Sequence, residues 1–181
     1  MKCRFCQNEE TYPETDMYIE LTGKESKTKK YWHFDCFEKE KIRREKVNEE
    51  TRKWDMLYET VKEIHDAENL PKDIICALQD LRNGTKRFRS QVQIGYKKGI
   101  EYPIITKAYN MSRKNIEYAR NTKNFKDTKN EMKYCLEIVK DKISDAKKEI
   151  KRMKKLEDTY VNPFHSYSEY EIEPVKKFPK I

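Results

Sequence analysis

This sequence has few glycines, no long apolar run and an odd number of cysteines, and each of these features argues against a class of protein. The four glycines among 181 residues are scattered, so the chain has no glycine-rich loop for binding phosphates. No apolar run approaches the roughly 20 residues that a membrane span needs, and the first residues lack the apolar core of a signal peptide. The five cysteines are an odd number, which argues against a disulfide framework. We therefore expect a soluble, cytoplasmic protein in a reducing compartment, with no membrane partner.

Three of the five cysteines, with one histidine, have the spacing of a metal site. The pattern is Cys-x2-Cys at Cys3 and Cys6, a gap of 26 residues, and His-x2-Cys at His33 and Cys36. Two ligands separated by two residues can face one ion from a single tight turn, and two such pairs complete a tetrahedral zinc site. With no coordination position open for water, the predicted zinc is structural. The remaining Cys76 and Cys135 lie in apolar helical stripes, where a free cysteine usually packs as a small hydrophobe.

The residues between the two ligand pairs predict a β-hairpin. Residues 16–21 alternate polar and apolar side chains as a strand does, and residues 22–24 contain a turn glycine. Residues 30–34 then form the second strand of the hairpin. From residue 37 the composition is helical, so the second ligand pair lies at a helix N-terminus, where the helix dipole favours a thiolate. A domain this small cannot bury a sufficient core unaided, so zinc is expected to stabilise it.

The tight turn that carries Cys3 and Cys6, which we call the knuckle, makes the treble-clef arrangement together with the hairpin and the ligand-bearing helix. Residues 32–37 resemble the LIM-domain signature Trp-His-x2-Cys-Phe. A LIM domain continues with another cysteine two residues after that phenylalanine, where this chain has Lys39, and then with a second zinc module, which this sequence lacks. The resemblance therefore implies a single treble-clef finger at residues 3–37, without the adaptor function of LIM domains.

The positive charge is concentrated in the middle of the chain. Charged residues make up 40% of the sequence and the formal net charge is +8. Residues 1–69 carry a net charge of −3, residues 70–156 carry +13, and residues 157–181 carry −2. Such asymmetry indicates a polyanionic partner, DNA in our interpretation, because each neutralised phosphate releases counterions. The alternative is a solvated, lysine-rich helical surface.

Helical patterns dominate after the finger. Residues 38–69 contain neither glycine nor proline and predict a charged connecting helix. Pro71 suits the first turn of the next helix, and Gly84 ends it. Residues 85–98 fit both periodicities, and the helical surroundings favour a third helix over a strand. Residues 157–181, rich in proline and tyrosine, predict a flexible tail.

Residues 102–121 resemble a helix-turn-helix motif. Pro103 opens a short helix, Asn110 and Met111 indicate a turn, and Ser112 is a good N-cap for a second helix. Apolar or small residues occupy the expected buried positions, namely Ile105, Tyr109, Met111, Ile116 and Ala119. Asn110 replaces the commoner glycine. The alternative is an ordinary bundle in which two helices meet at a capped turn.

In this hypothesis the second helix enters the major groove, where arginine can contact guanine and asparagine can contact adenine. The predicted base-reading face comprises Arg113, Lys114, Asn115, Glu117 and Arg120. Phosphate contacts are expected from Lys107, Lys123 and Lys126.

Residues 130–156 have the longest uninterrupted periodicity. Apolar residues advance by alternating steps of four and three, at Met132, Leu136, Val139, Ile143, Ala146, Ile150 and Met153. This pattern predicts one long helix whose stripe packs on neighbouring helices or, through residues 131–156, on a second copy of the chain as a homodimer.

Residues 70–150 also resemble the all-helical C-terminal domain of DnaD-like replication-initiation proteins of low-GC bacteria and their phages. Ile104-Ile105-x2-Ala108 and Tyr134-x3-Ile138 carry the resemblance, although Lys142 stands where that family has tryptophan. The resemblance implies DNA binding during replication.

Together these patterns predict a mainly α protein. A small zinc-bound β-hairpin of the treble-clef type precedes a long helix and an all-helical basic domain at residues 70–156. The predicted function is a phage-like DNA-binding accessory protein acting in replication or transcription. The alternative is a zinc-stabilised protein-interaction module that inhibits or adapts a host enzyme. Because no catalytic set is recognisable and the zinc has no open position, we do not expect an enzyme.

Overall fold

The computed structural model describes residues 1–9, 16–88, 91–94 and 99–161. The described chain is mainly helical and divides into two compact units, Met1–Met56 and Leu57–Ile181. The elements are β1 (Met17–Thr22), β2 (Thr28–His33), α1 (Phe34–His65), α2 (Lys72–Asn83), β3 (Thr85–Phe88), β4 (Gln91–Ile94), α3 (Tyr102–Thr122) and α4 (Thr128–Val161). None of the described helices combines the length and apolarity needed to cross a membrane.

The first unit contains the predicted hairpin and the beginning of α1. Strands β1 and β2 pair antiparallel, with Met17 opposite His33, and α1 follows β2 without a connecting loop. The Tyr18 ring on β1 stacks on the Phe37 ring on α1, with centroids 3.9 Å apart. The N-terminal knuckle is attached to β2 because the Arg4 backbone N–H donates to the Tyr31 carbonyl at 2.9 Å. The predicted order of knuckle, hairpin and helix is therefore confirmed.

The first unit has a very small apolar core. Among its described residues, only Cys3, Met17 and Trp32 are buried apolar side chains. Fully burying a large apolar side chain contributes about 1.5–3 kcal/mol, whereas ordering each residue costs roughly 1–2 kcal/mol. Three such side chains cannot offset the entropy of ordering this unit, so it needs another source of stability.

Helix α1 is continuous through the charged stretch, as its sequence predicted. It ends at His65, after which Asp66 adopts a left-handed backbone conformation with φ of 49°. The first turns of α1 belong to the hairpin unit, and its last turns, from Leu57, belong to the second unit. The division between the compact units therefore falls within a helix rather than in a linker.

The core of the second unit is built from apolar stripes on its helices. Helix α2 ends as predicted, because Gly84 is left-handed with φ of 67° and its N–H donates to the Asp80 carbonyl. Helices α3 and α4 pack along most of their shared length. The predicted α4 stripe is buried at Met132, Leu136, Val139, Ile143 and Ala146. It becomes half-buried at Ile150, and Met153 is 45% exposed.

The described part of residues 85–98, namely 85–88 and 91–94, does not form the predicted helix. Strands β3 and β4 pair antiparallel instead, with Thr85 opposite Ile94 and Phe88 opposite Gln91. The left-handed Gly84 stops α2, and the alternation through Val92 and Ile94, which also fits a strand, prevails over the helical spacing. The second unit is therefore not all-helical.

The predicted helix-turn-helix is also wrong. Residues 102–122 form the single helix α3, in which Asn110 and Met111 are ordinary helical residues and Ser112 is buried. From Ile104 to Thr122 the sequence has no glycine or proline, and one stripe of small and apolar side chains faces the core throughout. A continuous helix therefore pairs the backbone groups around residues 110–112 without a turn. Met111, expected to be buried in the turn, is 41% exposed.

The predicted tail begins later than its sequence suggested. Helix α4 continues to Val161, two residues before Pro163, because proline disfavours helical conformation only at its own position and the one preceding it. The remainder of the predicted tail, residues 162–181, lies outside the described residues.

A polar cluster joins α1, α3 and α4 inside the second unit. His65 Nδ1 lies 3.0 Å from Glu131 Oε1, and the His65 ring is buried. The Arg120 guanidinium lies 2.9 Å from the same carboxylate oxygen and donates to the Ile64 carbonyl at 3.0 Å. The buried His65 ring on α1 therefore faces Glu131 on α4, which in turn pairs with Arg120 on α3.

Burial lowers the pKa of His65, and this lowering exceeds the opposing influence of Glu131. His65 Nε2 has no partner among the described residues. When the ring is neutral and Nδ1 donates to Glu131, Nε2 is only an acceptor without a donor. Protonation of Nε2 would bury an N–H donor without an acceptor.

We therefore expect stability to fall as pH drops below about 6.5, the pKa of histidine in the unfolded chain. Above that pH both states are neutral at His65; below it the unfolded state binds the extra proton. Thermal unfolding of helical circular dichroism between pH 5 and pH 8 measures the effect. His65→Gln keeps a donor toward Glu131 without titrating, so its Tm should depend less on pH. Equal pH dependence in both proteins would contradict the assignment.

Candidate functional site

The predicted metal ligands come together at the base of the hairpin. Cys3, Cys6, His33 and Cys36 each offer one ligand atom, and these atoms all lie within 4.8 Å of one another. Cys6 Sγ is 3.3 Å from His33 Nδ1, and Cys36 Sγ is 3.8 Å from the same nitrogen. With zinc–sulfur bonds of about 2.3 Å and zinc–nitrogen bonds of about 2.0 Å, tetrahedral ligand atoms stand roughly 3.5 Å apart. The cluster therefore has the donor set and spacing of a four-coordinate metal site.

Local backbone structure positions each ligand. The knuckle is closed by Gln7, whose backbone has φ of 65° and whose N–H donates to the Cys3 carbonyl. His33 is the last residue of β2, and Cys36 is in the first turn of α1. The direct passage from strand to helix therefore places both members of the second ligand pair beside the knuckle.

The electrostatics of the cluster favour a bound cation. Burial disfavours the Cys3 thiolate, but hydrogen bonds with the backbone of Cys6, His33 and Phe5 outweigh it and lower the pKa of Cys3 to about 6. Burial, together with the Cys3 and Cys6 sulfurs, raises the pKa of Cys36 to about 11. The sulfurs thus resist simultaneous ionisation when they are alone. A divalent cation would remove that repulsion, because it stabilises each thiolate directly.

The predicted base-reading residues do not share one surface. Positions 113 and 115 are separated by roughly 200° around a helix axis, so Arg113 and Asn115 cannot face the same groove from α3. Arg113 Nη2 lies 2.6 Å from Glu63 Oε1. Arg120 is held by Glu131 and the Ile64 carbonyl, as described above. Both arginines predicted to contact bases are therefore already engaged with α1 or α4.

The remaining predicted DNA contacts lie on or near the surface of the second unit. Lys114, Asn115, Lys123 and Lys126 are exposed, and Lys107 is half-buried. The Lys123 ammonium lies 4.8 Å from the centre of the Tyr134 ring, which is a cation–π contact. Three of these residues are on α3 and the other two follow it in the chain, so the set does not belong to one helix.

A denser positive surface occurs near the end of α4, which the sequence analysis did not include among the site residues. This lysine face comprises Lys147, Lys148, Lys151, Lys154 and Lys155, all exposed. Acidic Asp145 and Glu149 lie on the other side of the helix and are half-buried, since α-helical residues advance about 100° each. Among the described residues only one of the five lysines has an ion pair, between Lys148 and Asp145 at 3.9 Å. The lysine face therefore keeps most of its charge available for an external anion.

Comparison with known proteins places the chain in a phage family. No curated protein and no solved structure matches the chain significantly. One family model, described as SPbeta prophage protein YorH, matches residues 3–177, which is nearly the whole chain. The chain therefore belongs to the SPbeta prophage protein YorH family.

Proposed function

We propose that this protein is a non-enzymatic phage accessory factor that binds DNA through the lysine face of α4, in replication or transcription of the phage genome. Membership of a prophage protein family supports the phage role. The concentration of unpaired lysines on one exposed side of α4 is the observation that carries the DNA-binding proposal. The finger serves as a structural zinc module within the same protein.

The lysine face suits the DNA backbone rather than base edges. Lysine is a flexible point charge with no planar fork, so it neutralises phosphates without selecting a base. Lys147, Lys151 and Lys154 recur at steps of four and three, which places them in one stripe along the helix. Such a stripe can follow successive phosphates. We therefore propose sequence-independent binding in place of the major-groove reading expected from the sequence.

Zinc is the metal that the four-ligand cluster suits best. Three thiolates and one imidazole form a soft tetrahedral set of the kind that zinc occupies in structural sites. The nearly coreless first unit explains why such a site is needed. Metal binding would supply the stability that Met17 and Trp32 alone do not provide.

A salt series with a labelled duplex tests the DNA proposal. The logarithm of the affinity should fall linearly with the logarithm of the salt concentration, and the slope should reflect the number of phosphates contacted. Replacing Lys147, Lys151 and Lys154 together by alanine should reduce that slope by roughly 2–3, because each lost contact removes roughly 0.9. The affinity for every duplex sequence should fall alike.

The matched control removes the same charge elsewhere. Lys39, Lys46 and Lys72 are exposed and lie outside the lysine face, and their triple alanine variant should change the slope by less than half as much. Equal effects of the two triple variants would contradict a defined DNA-binding face. Absence of duplex binding at low salt would reject the proposal altogether.

One observation favours the protein-interaction alternative. Met111 and Tyr118 are 41% and 71% exposed and lie one heptad apart on the outer side of α3. Exposed apolar side chains aligned in this way suit a partner helix better than DNA. If Tyr118→Ala abolishes binding to a phage or host protein and the chain has no affinity for duplex DNA, the second function replaces the first.

A further inference from the structure

The hairpin unit contains a cleft of about 410 Å³. Its lining combines four cations, one carboxylate and two aromatic rings, from Arg4, Phe5, Lys30, Trp32, Glu40, Arg43 and Arg44. Residues 1–44, which supply the whole lining, have nearly balanced charges, with ten basic and nine acidic residues. Folding therefore sorts a balanced sequence into a locally positive concave surface.

The inner wall of the cleft is held by a chain of ion pairs. Glu40 is buried and accepts from the Arg43 Nε at 2.7 Å and from the Arg44 Nε at 2.9 Å. Arg44 also donates both terminal nitrogens to Glu20, which accepts from the Trp32 indole N–H at 3.2 Å. This network fixes the arginines in place and engages all three nitrogens of Arg44.

Positive charge remains free for a ligand on the open side. Arg43 is bound to Glu40 through Nε and Nη2, which leaves its Nη1 donors available. Within the described part of the chain Arg4 has no ion pair, and Lys30 lies opposite Glu20 in the hairpin without a direct ion pair. The pKa of Glu20 is lowered chiefly by Arg44 and only in part by Lys30. Three cationic groups therefore surround a space that contains no opposing free carboxylate among its lining residues.

An aromatic ring lies beside these cations. Phe5 is 46% exposed although it lies between the two ligands of the knuckle, Cys3 and Cys6. The knuckle's backbone hydrogen bonds restrict Phe5, so exposing its ring does not reflect a loose chain. A rigid exposed ring next to cations is the arrangement with which proteins stack an unpaired base and hold its phosphate.

We propose that this cleft binds one unpaired nucleotide of single-stranded nucleic acid, with the base stacked on Phe5 and the phosphate held by Arg4, Lys30 and Arg43. An acidic peptide would satisfy the cations but would leave the Phe5 ring without a planar partner. The inference deepens the proposed function by adding a single-strand site. It does not require the lysine face, whose contacts are to the backbone of a duplex.

Trp32 provides a direct measurement, because it lines the cleft. The sequence has two tryptophans, so Trp54→Phe makes Trp32 the sole emitter in the full-length protein. Adding a short oligothymidylate should quench Trp32 fluorescence with saturation. A duplex of the same length should quench it much less, because its bases are already stacked on each other.

Phe5→Ala in this background should weaken oligothymidylate binding about 5- to 150-fold, the range for losing one stacked base. Phe5→Tyr keeps a ring and should retain affinity within about threefold. Arg4→Gln should reduce the salt slope by roughly 0.7, the value for one phosphate of a single strand. Phe34→Ala is the matched control, since Phe34 is 59% exposed in the same finger but does not line the cleft.

An unchanged Trp32 emission maximum in each variant establishes that the finger is folded, because Trp32 is buried. The proposal is overturned if Phe5→Ala and Phe34→Ala bind oligothymidylate equally. It is also overturned if a polyglutamate peptide competes as well as the oligonucleotide, which would assign the cleft to an acidic protein segment. Retained oligothymidylate binding in the Lys147, Lys151 and Lys154 triple variant supports the cleft independently, even if duplex binding fails.

Discussion

Replacing Cys36 by serine is expected to unfold the hairpin finger while most of the helical circular dichroism remains. Apparent free energies of structural zinc binding are about 10–16 kcal/mol, which exceeds the stability that the three buried apolar side chains of the first unit can provide. The second unit has its own core on α2, α3 and α4 and does not depend on the cluster. With Trp54 replaced by phenylalanine, so that Trp32 is the only tryptophan, the emission should shift to longer wavelength as the buried Trp32 becomes exposed, and zinc should no longer be retained.

The matched control is Cys76→Ser, the same substitution at a half-buried cysteine of α2 outside the cluster. It should retain one zinc ion per chain and the native Trp32 emission. Native mass spectrometry gives the metal content of both proteins. A wild-type finger that keeps its Trp32 emission after complete chelation would show that the cluster does not need a metal.

Met132→Ala is expected to destabilise the second unit by about 2–5 kcal/mol, because Met132 is fully buried between α4 and its neighbours. Truncation removes apolar contact and leaves a cavity that a packed helical core fills only partly. Chemical denaturation followed by circular dichroism at 222 nm measures the loss.

Met153→Ala is its control on the same helix. Met153 belongs to the same predicted stripe but is 45% exposed, so its truncation should change stability by no more than about 0.5 kcal/mol. Equal losses at the two methionines would mean that the stripe remains covered beyond Ile150, as a second copy packed along α4 would cover it. The pair of variants therefore also tests the homodimer that the heptad pattern suggested.

The sequence alone predicted those features of the fold and the site that depend on residues close together in the chain. The spacing of Cys3, Cys6, His33 and Cys36 predicts one cluster of four ligand atoms, and the structure brings these side chains together. Helix α2 could be delimited because proline and glycine act at their own positions. The apolar stripe of α4 could also be predicted, because seven apolar residues at regular helical spacing indicate a helix even when one of them is exposed.

Other features depend on contacts between distant residues and could not be read locally. Ser112 is a favourable N-cap by composition, yet tertiary packing buries it within a continuous helix. Residues 85–94 satisfied two periodicities, and only the pairing of two strands decides between them. Glu131 resembles an ordinary acidic residue in a first helical turn. Its role follows from His65, which lies 66 positions earlier in the chain.

The contacts of Glu131 with His65 and Arg120 have a consequence for how the helices find their alignment. A heptad stripe is nearly indifferent to sliding by seven residues, because apolar side chains would again meet apolar side chains. Sliding α4 by one heptad would bring Ile138 to the place of Glu131 and leave the buried His65 N–H without an acceptor. An unsatisfied buried donor costs about 1–3 kcal/mol. The polar cluster therefore selects one register of α4 from several that the apolar residues would accept.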